Sequence, residues 1–177
     1  YVLINLAILW LIDISAIRVY DGIISQGMVI ALYNYMSQIL IELIKLAKEL
    51  GVKTIVTFSG CPGDCPESVR PNWVTISWPP EYGETLDYQW NDVLIPYWKN
   101  AASIAEENGV EKIAFEMHPG FCVYNPATLL RLREAVGPII GANFDPSHLI
   151  WQGIDPVAAI RKLGNAIYHF HAKDTKI

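Results

Sequence analysis

The chain has 177 residues, 52% of them hydrophobic and 18% charged, with 18 acidic against 13 basic side chains and a formal net charge of −5. That apolar content excludes a disordered segment, and the acidic balance argues against a protein that grips the phosphate backbone of nucleic acid. The length suits one ordinary domain but falls short of the roughly 250 residues of a complete single-domain α/β barrel.

The sequence opens on Tyr1 rather than Met and stops at Asp174-Thr175-Lys176-Ile177, directly after a strand-like run. A piece of a longer protein is expected. Residues 1–12 are strongly apolar, but the run is shorter than the roughly 18–20 residues of a bilayer span, and Asn5 and Asp13 bound it. It lacks a basic leader and a small-residue cleavage site. A buried helix or strand is expected there, without membrane association. The cysteines Cys61, Cys65 and Cys122 make no even framework, and C-x₃-C is not zinc-knuckle spacing. Free thiols in a reducing cytoplasmic setting are expected.

In chain order, residues 37–50 place Ile39, Leu40, Leu43, Ile44 and Ala47 at helical spacing, with Gly51 as a stop. Residues 53–58 are a short β-branched strand candidate. Residues 59–80, rich in Gly, Pro, Cys and Trp, read as one long loop of the kind that carries function. A helix is expected over residues 87–108, kinked at Pro96 and stopped by Gly109. Residues 112–117 are a strand. Residues 126–136 are a helix capped by Asn125 and stopped by Gly137-Pro138. Residues 139–144 are a strand, residues 155–163 a helix capped by Asp155, and residues 166–171 the last strand. Strands alternating with helices predict right-handed βαβ units and a parallel sheet.

All four histidines, His118, His148, His169 and His171, fall in the last third of the chain, at or just beyond predicted strand ends. Glu116, Asp145 and His171 occupy three consecutive strand ends, 29 and 26 residues apart, one βα unit each. In a parallel barrel that spacing brings neighbouring strand ends together on the rim that carries the active site. Each residue alone has an ordinary alternative: a solvated Glu116, a turn-forming Asp145, a satisfied core His169. Two carboxylates and an imidazole favour Mn²⁺, Mg²⁺, Co²⁺ or Zn²⁺. Three ligands leave room for solvent, substrate or a fourth ligand.

The runs Phe115-Glu116-Met117-His118-Pro119-Gly120-Phe121, Asn143-Phe144-Asp145-Pro146-Ser147-His148 and His169-Phe170-His171-Ala172-Lys173-Asp174 carry a resemblance to the sugar phosphate isomerase/epimerase family. This belongs to the xylose-isomerase-like TIM barrel superfamily, with ketose 3-epimerases, inosose dehydratases and endonuclease IV. The resemblance covers residues 49–175 and includes the Gly60-Cys61-Pro62-Gly63 loop. It implies that residues 1–177 form a single partial (β/α)₈ barrel domain of about five βα units, strands 3 to 7, with strands 1, 2 and 8 absent. It further implies one divalent metal held by Glu116, Asp145 and His171, the family's fourth ligand, a strand-8 Glu, having no counterpart here. His148, three residues after Asp145, would contact substrate, and His118 would add a second polar contact. Residues 13–17 resemble the third strand, but residues 18–34 are unusually apolar where relatives carry a polar rim loop. They are read as diverged or frame-altered.

The expected activity is isomerisation or epimerisation of a small sugar or polyol, with the metal as Lewis acid stabilising an enediolate. Glu116 and His148 are the expected catalytic residues, Glu116 as an acid–base group and His148 as a hydrogen-bonding partner of a substrate oxygen. His118, His148, Trp151, Lys173 and Asp174 are the expected substrate-binding residues, and Trp73, Trp78, Phe121 and Trp151 an apolar wall. An inosose-type dehydratase on the same metal and a non-catalytic sugar-binding or degenerate barrel are the alternatives. Endonuclease IV-like cleavage is disfavoured by the acidic balance. Residues 1–177 alone are expected to be weakly active or inactive, and homo-oligomerisation is left open.

Overall fold

The computed structural model describes residues 39–176. The apolar run 1–12, the strand-like residues 13–17, the divergent stretch 18–34 and the expected helix start at Ser37 lie outside them. The chain divides into two compact units, Tyr1–Leu43 and Ile44–Ile177. The second carries the sheet.

Residues 39–49 are helical (α1), with Ile44 and Ala47 buried. Strand β1 (Thr54–Thr57) follows. The loop expected after it is present, and helix α2 (Pro80–Asp87) ends it. That helix starts seven residues before the expected Asp87. Pro80 suits a first helical position, where no N–H is needed, while Gly83 and the prolines upstream mask the helical signal. A π-helical segment, Tyr88–Leu94, joins α2 to α3 (Ile95–Glu107). Instead of a simple kink at Pro96, the backbone widens just before it. The Ile95 N–H bonds to Trp90 O, five residues back, and this wider turn accommodates a ring that would crowd an α-helical carbonyl. Strand β2 (Lys112–Glu116), helix α4 (Pro126–Val136) and strand β3 (Ile140–Phe144) come next. A short helix α5 (Pro146–Ile150), helix α6 (Pro156–Leu163) and strand β4 (Ile167–Phe170) complete the chain.

The four strands are parallel and lie in chain order, β1-β2-β3-β4. Each strand sits beside its predecessor, as in a barrel wall, without the order reversal of a doubly wound sheet. Side chains alternate across the sheet. One set, Ile113, Phe115, Ile140, Ala142 and Phe144, is buried; Trp98 of α3 meets Phe115 edge-on at 4.5 Å, worth about 0.5–1.5 kcal/mol beyond area burial. The other set holds Ala114, Glu116, Gly141 and Asn143. Local capping is strong: Asn125 Oδ1 accepts from the Thr128 N–H at 2.9 Å, and Thr128 Oγ1 accepts from the Asn125 N–H at 3.1 Å. Among the described residues no helix is long and apolar enough to cross a membrane.

Two contacts position the rim. Gln89, buried in the π segment, donates from Nε2 to the carbonyls of Pro62, Gly63 and Asn72 at 2.9, 3.1 and 2.7 Å, tying the long loop to the helix. Between β3 and β4 the register shifts: Ala142 pairs with Ile167 but Asn143 pairs with His169, skipping Tyr168. The Tyr168 ring lies where a Cβ on Gly141 would be, and that Cβ would also stand 2.6 Å from Ala166 O. Arg133 and the Pro138 carbonyl hold the Tyr168 hydroxyl.

Gln89→Ala removes the side-chain donor shared by three loop carbonyls and is expected to lower stability by about 1–3 kcal/mol, with faster proteolytic nicking within residues 60–73, followed by urea unfolding and mass mapping. Gly141→Ala forces the shifted register apart and is expected to lower stability by about 1–3 kcal/mol, read from the urea midpoint.

Candidate metal centre

At the carboxyl ends of β2, β3 and β4, Glu116, Asp145 and His171 each present a ligand-type atom, all within 4.8 Å of one another. His171 Nδ1 stands 3.4 Å from Glu116 Oε2 and 3.8 Å from Asp145 Oδ2. Two ligands of one ion at about 2.0–2.3 Å each lie no more than about 4.6 Å apart, and the two spacings from His171, 3.4 and 3.8 Å, fall within that reach. Hard carboxylate oxygens beside one imidazole match a divalent ion of the Mg²⁺–Mn²⁺–Zn²⁺ range rather than a soft metal. The donor set therefore fits the group the sequence implies.

Asp145 serves both as turn former and as ligand candidate, one oxygen for each. Its side chain is wholly buried. Oδ1 accepts from the Ser147 N–H at 2.9 Å and from Ser147 Oγ at 2.6 Å, capping α5. Oδ2 faces His148 Nε2 at 3.5 Å and accepts from Lys173 Nζ at 3.2 Å. Burial pushes this carboxyl up, but the two Ser147 bonds, Lys173 and His148 outweigh it and hold it below the usual carboxylate range.

His148 stands on α5, a short helix between the expected strand 139–144 and the expected helix 155–163. The helix forms because Asp145 caps it and Pro146 opens it. Its Nε2 lies 2.9 Å from Glu116 Oε1. Burial first, then the neighbouring His118, hold His148 below the usual imidazole range. The contact with Glu116 is a hydrogen bond in which Nε2–H donates to the carboxylate oxygen. His118 sits beside it, ring centroids 4.1 Å apart, with Nδ1 2.6 Å from the Pro119 carbonyl oxygen. Phe121 stacks on Phe58 at 4.7 Å, and both rings meet His118 edge-on.

Other expected residues are placed differently. Trp151 follows α5 and is 59% exposed, and Asp174 is exposed and accepts from its neighbour Thr175 N–H. Among the described residues neither side chain hydrogen-bonds to the triad. Trp78 is exposed, while Trp73 donates to the Phe121 carbonyl at 3.0 Å and meets Tyr124 edge-on. His169 is not a core histidine: it is exposed on β4, with Nδ1 2.9 Å from Asn143 Oδ1. Asn143, fully buried and not singled out from sequence, is central. Its Nδ2 donates to Glu116 Oε2 at 3.1 Å and lies 3.3 Å from His171 Nδ1. The available signal was its place two residues before Asp145 on the same strand face. Two concavities of about 430 and 400 Å³ lie at the opposite, amino-terminal strand ends, lined by residues such as Val52, Gly109 and Ile139. The donor cluster is not there.

The family model for the xylose isomerase-like TIM barrel matches residues 35–177. The chain belongs to that family. It is 53% identical over 135 residues to the uncharacterised protein YfiH of Bacillus subtilis (strain 168), covering 75% of this chain and 43% of YfiH. It is 29% identical over 89 residues to an inosose dehydratase of Clostridium tetani, covering 50% of this chain and 29% of that protein. An inosose dehydratase of Geobacillus kaustophilus is also 29% identical, over 91 residues, 51% of this chain and 29% of that protein. The crystal structure of the probable 3-DHS dehydratase AsbF of Bacillus anthracis shares the fold, with a TM-score of 0.56 at 21% identity over 78% of this chain and 44% of that one. The chain spans less than half the length of each of these relatives.

Lys173 Nζ occupies the Asp145 oxygen that a cation in this cluster would need. Lys173→Met is expected to tighten Mn²⁺ binding about two- to fivefold, the scale of one half-exposed ion pair, measured by calorimetric titration.

Proposed function

We propose that the complete protein is a metal-dependent enzyme that removes a proton beside the carbonyl of a small sugar or polyol ketone. Residues 1–177 are read as one partial barrel domain, strands 3 to 7 of eight. Glu116, Asp145 and His171 would hold the ion, and a divalent ion so held supplies Lewis-acid polarisation of a carbonyl oxygen. The observation that carries the reading is the placing of Glu116. One oxygen faces the ligand cluster and the other accepts a hydrogen bond from the imidazole of His148.

The remaining roles belong to the chain's own side chains. Glu116 offers a carboxylate oxygen to the substrate proton, with His148 as the hydrogen-bonding partner that steadies its charge. His148 and His118, side by side, present ring nitrogens to substrate hydroxyls. Lys173, half exposed next to Asp145, is free to turn to a substrate oxygen once the cation holds Oδ2. Phe58 and Phe121 supply an apolar face against a sugar ring. Trp151 and Asp174, expected at the substrate, are proposed only as outer contacts.

Dehydration is the favoured outcome, because two of the relatives are inosose dehydratases. Isomerisation or epimerisation, the first expectation, begins with the same proton removal and differs in what leaves. Mass spectrometry of products from inosose and a panel of ketoses separates them. Loss of one water is the expected result. A product of unchanged mass would replace dehydration by isomerisation. Glu116→Gln is expected to abolish turnover and weaken Mn²⁺ binding; a variant unchanged in both overturns the role given to Glu116, and an unmodified protein with neither turnover nor bound Mn²⁺ would leave a sugar-binding barrel as the reading.

A further inference from the structure

Glu116, Asn143 and His169 stand side by side on three adjacent strands. The register pairs Glu116 with Asn143, and the shift past Tyr168 pairs Asn143 with His169. Without that shift Tyr168 would stand next to Asn143. The three side chains form one line of hydrogen bonds, His169 Nδ1 to Asn143 Oδ1 at 2.9 Å and Asn143 Nδ2 to Glu116 Oε2 at 3.1 Å. His148 Nε2, at 2.9 Å from Oε1, closes the line at its far end.

The chemistry of the donors orients the line. A carboxylate offers only acceptors, so the amide must turn its NH₂ to Glu116. Its carbonyl oxygen then faces His169, and the His169 proton must sit on Nδ1. Asn143 is fully buried, so a flipped amide would set oxygen against oxygen with no water to relieve it. A carboxylate group rotates easily about its last side-chain bond. With one directed donor on each oxygen, its plane is fixed.

We propose that Asn143 is the positioning residue of this site: it turns Glu116 Oε2 toward His171 and Asp145, leaves Oε1 to His148, and is itself held by His169 as the Nδ1–H tautomer. Its effect on catalysis rests on the metal reading above; its effect on Glu116 does not. Partners of this kind fix the plane and basicity of a ligand.

The test begins on the metal-free complete protein labelled with ¹⁵N. Two-bond ¹H–¹⁵N spectra read which ring nitrogen of His169 carries the proton. Nδ1–H is expected, and a dominant Nε2–H form overturns the proposal without any variant. Glu116→Ala does not touch His169, yet it frees the amide and is expected to give a mixture of His169 tautomers. An unchanged tautomer breaks the claimed coupling. Mn²⁺ titration then compares the unmodified protein with Asn143→Leu, which keeps the branched outline and removes the hydrogen bonds. A loss of about 10–100-fold in affinity is expected, with thermal unfolding measured alongside. Equal affinity in a folded variant overturns the positioning role. If the unmodified protein binds no Mn²⁺, the metal reading fails, while the tautomer still decides whether Asn143 orients Glu116.

Discussion

A carboxylate shut away from water must be answered by hydrogen bonds or by opposite charge, and Asp145 is shut away completely. Its surroundings answer it twice. Oδ1 takes two bonds from Ser147 and so starts helix α5. Oδ2 takes the ammonium of Lys173 and looks toward His148 and His171. The first answer builds structure, because the capped helix carries His148 to Glu116. The second builds chemistry, because an oxygen satisfied by a half-exposed lysine can exchange that partner for a stronger cation. Replacing the carboxylate would therefore remove a helix cap and a candidate ligand together.

Around this residue the site is assembled from the sheet inwards. Parallel strands in chain order deliver one side chain per strand end to the same edge, the arrangement of a barrel rim. The helices behind them hold the strands by packing on the buried set, Trp98 on Phe115 among them. The long loop after β1 is anchored from beneath by Gln89 and from the side by the Trp98 indole, which donates to the Ser59 carbonyl at 3.0 Å. Rigid support of this sort lets a rim carry polar groups at hydrogen-bond distance. The polar line across β2, β3 and β4 is satisfied from end to end, and no buried side-chain polar atom among the described residues lacks a partner.

Much of this was legible in the residues. The Asn125 and Asp155 caps, the Gly137-Pro138 stop and the strand positions follow from interactions within a few residues, and they stand where the sequence put them. Helix α2 was missed because prolines and a glycine hide a helix whose stability comes from packing. Pro96 signalled a disturbance, but its form, a π segment upstream, depends on how the helix seats against the sheet. His148 was singled out from the sequence, yet its helix was not, since five residues carry too little pattern.

The sequence by itself determined the class of fold and which candidate donors stand at the strand ends, because alternation, caps and the spacing of strand ends are local or periodic properties. It also carried the family membership, through runs at three strand ends that the family model matches. The tertiary structure decided which atoms face which. Asn143 became a partner of Glu116, His169 came level with Asn143, and the two oxygens of Asp145 took different work. These depend on lateral register between strands some 26 to 29 residues apart. One skipped residue, Tyr168, changes that register, and nothing in the local pattern of β4 announces it.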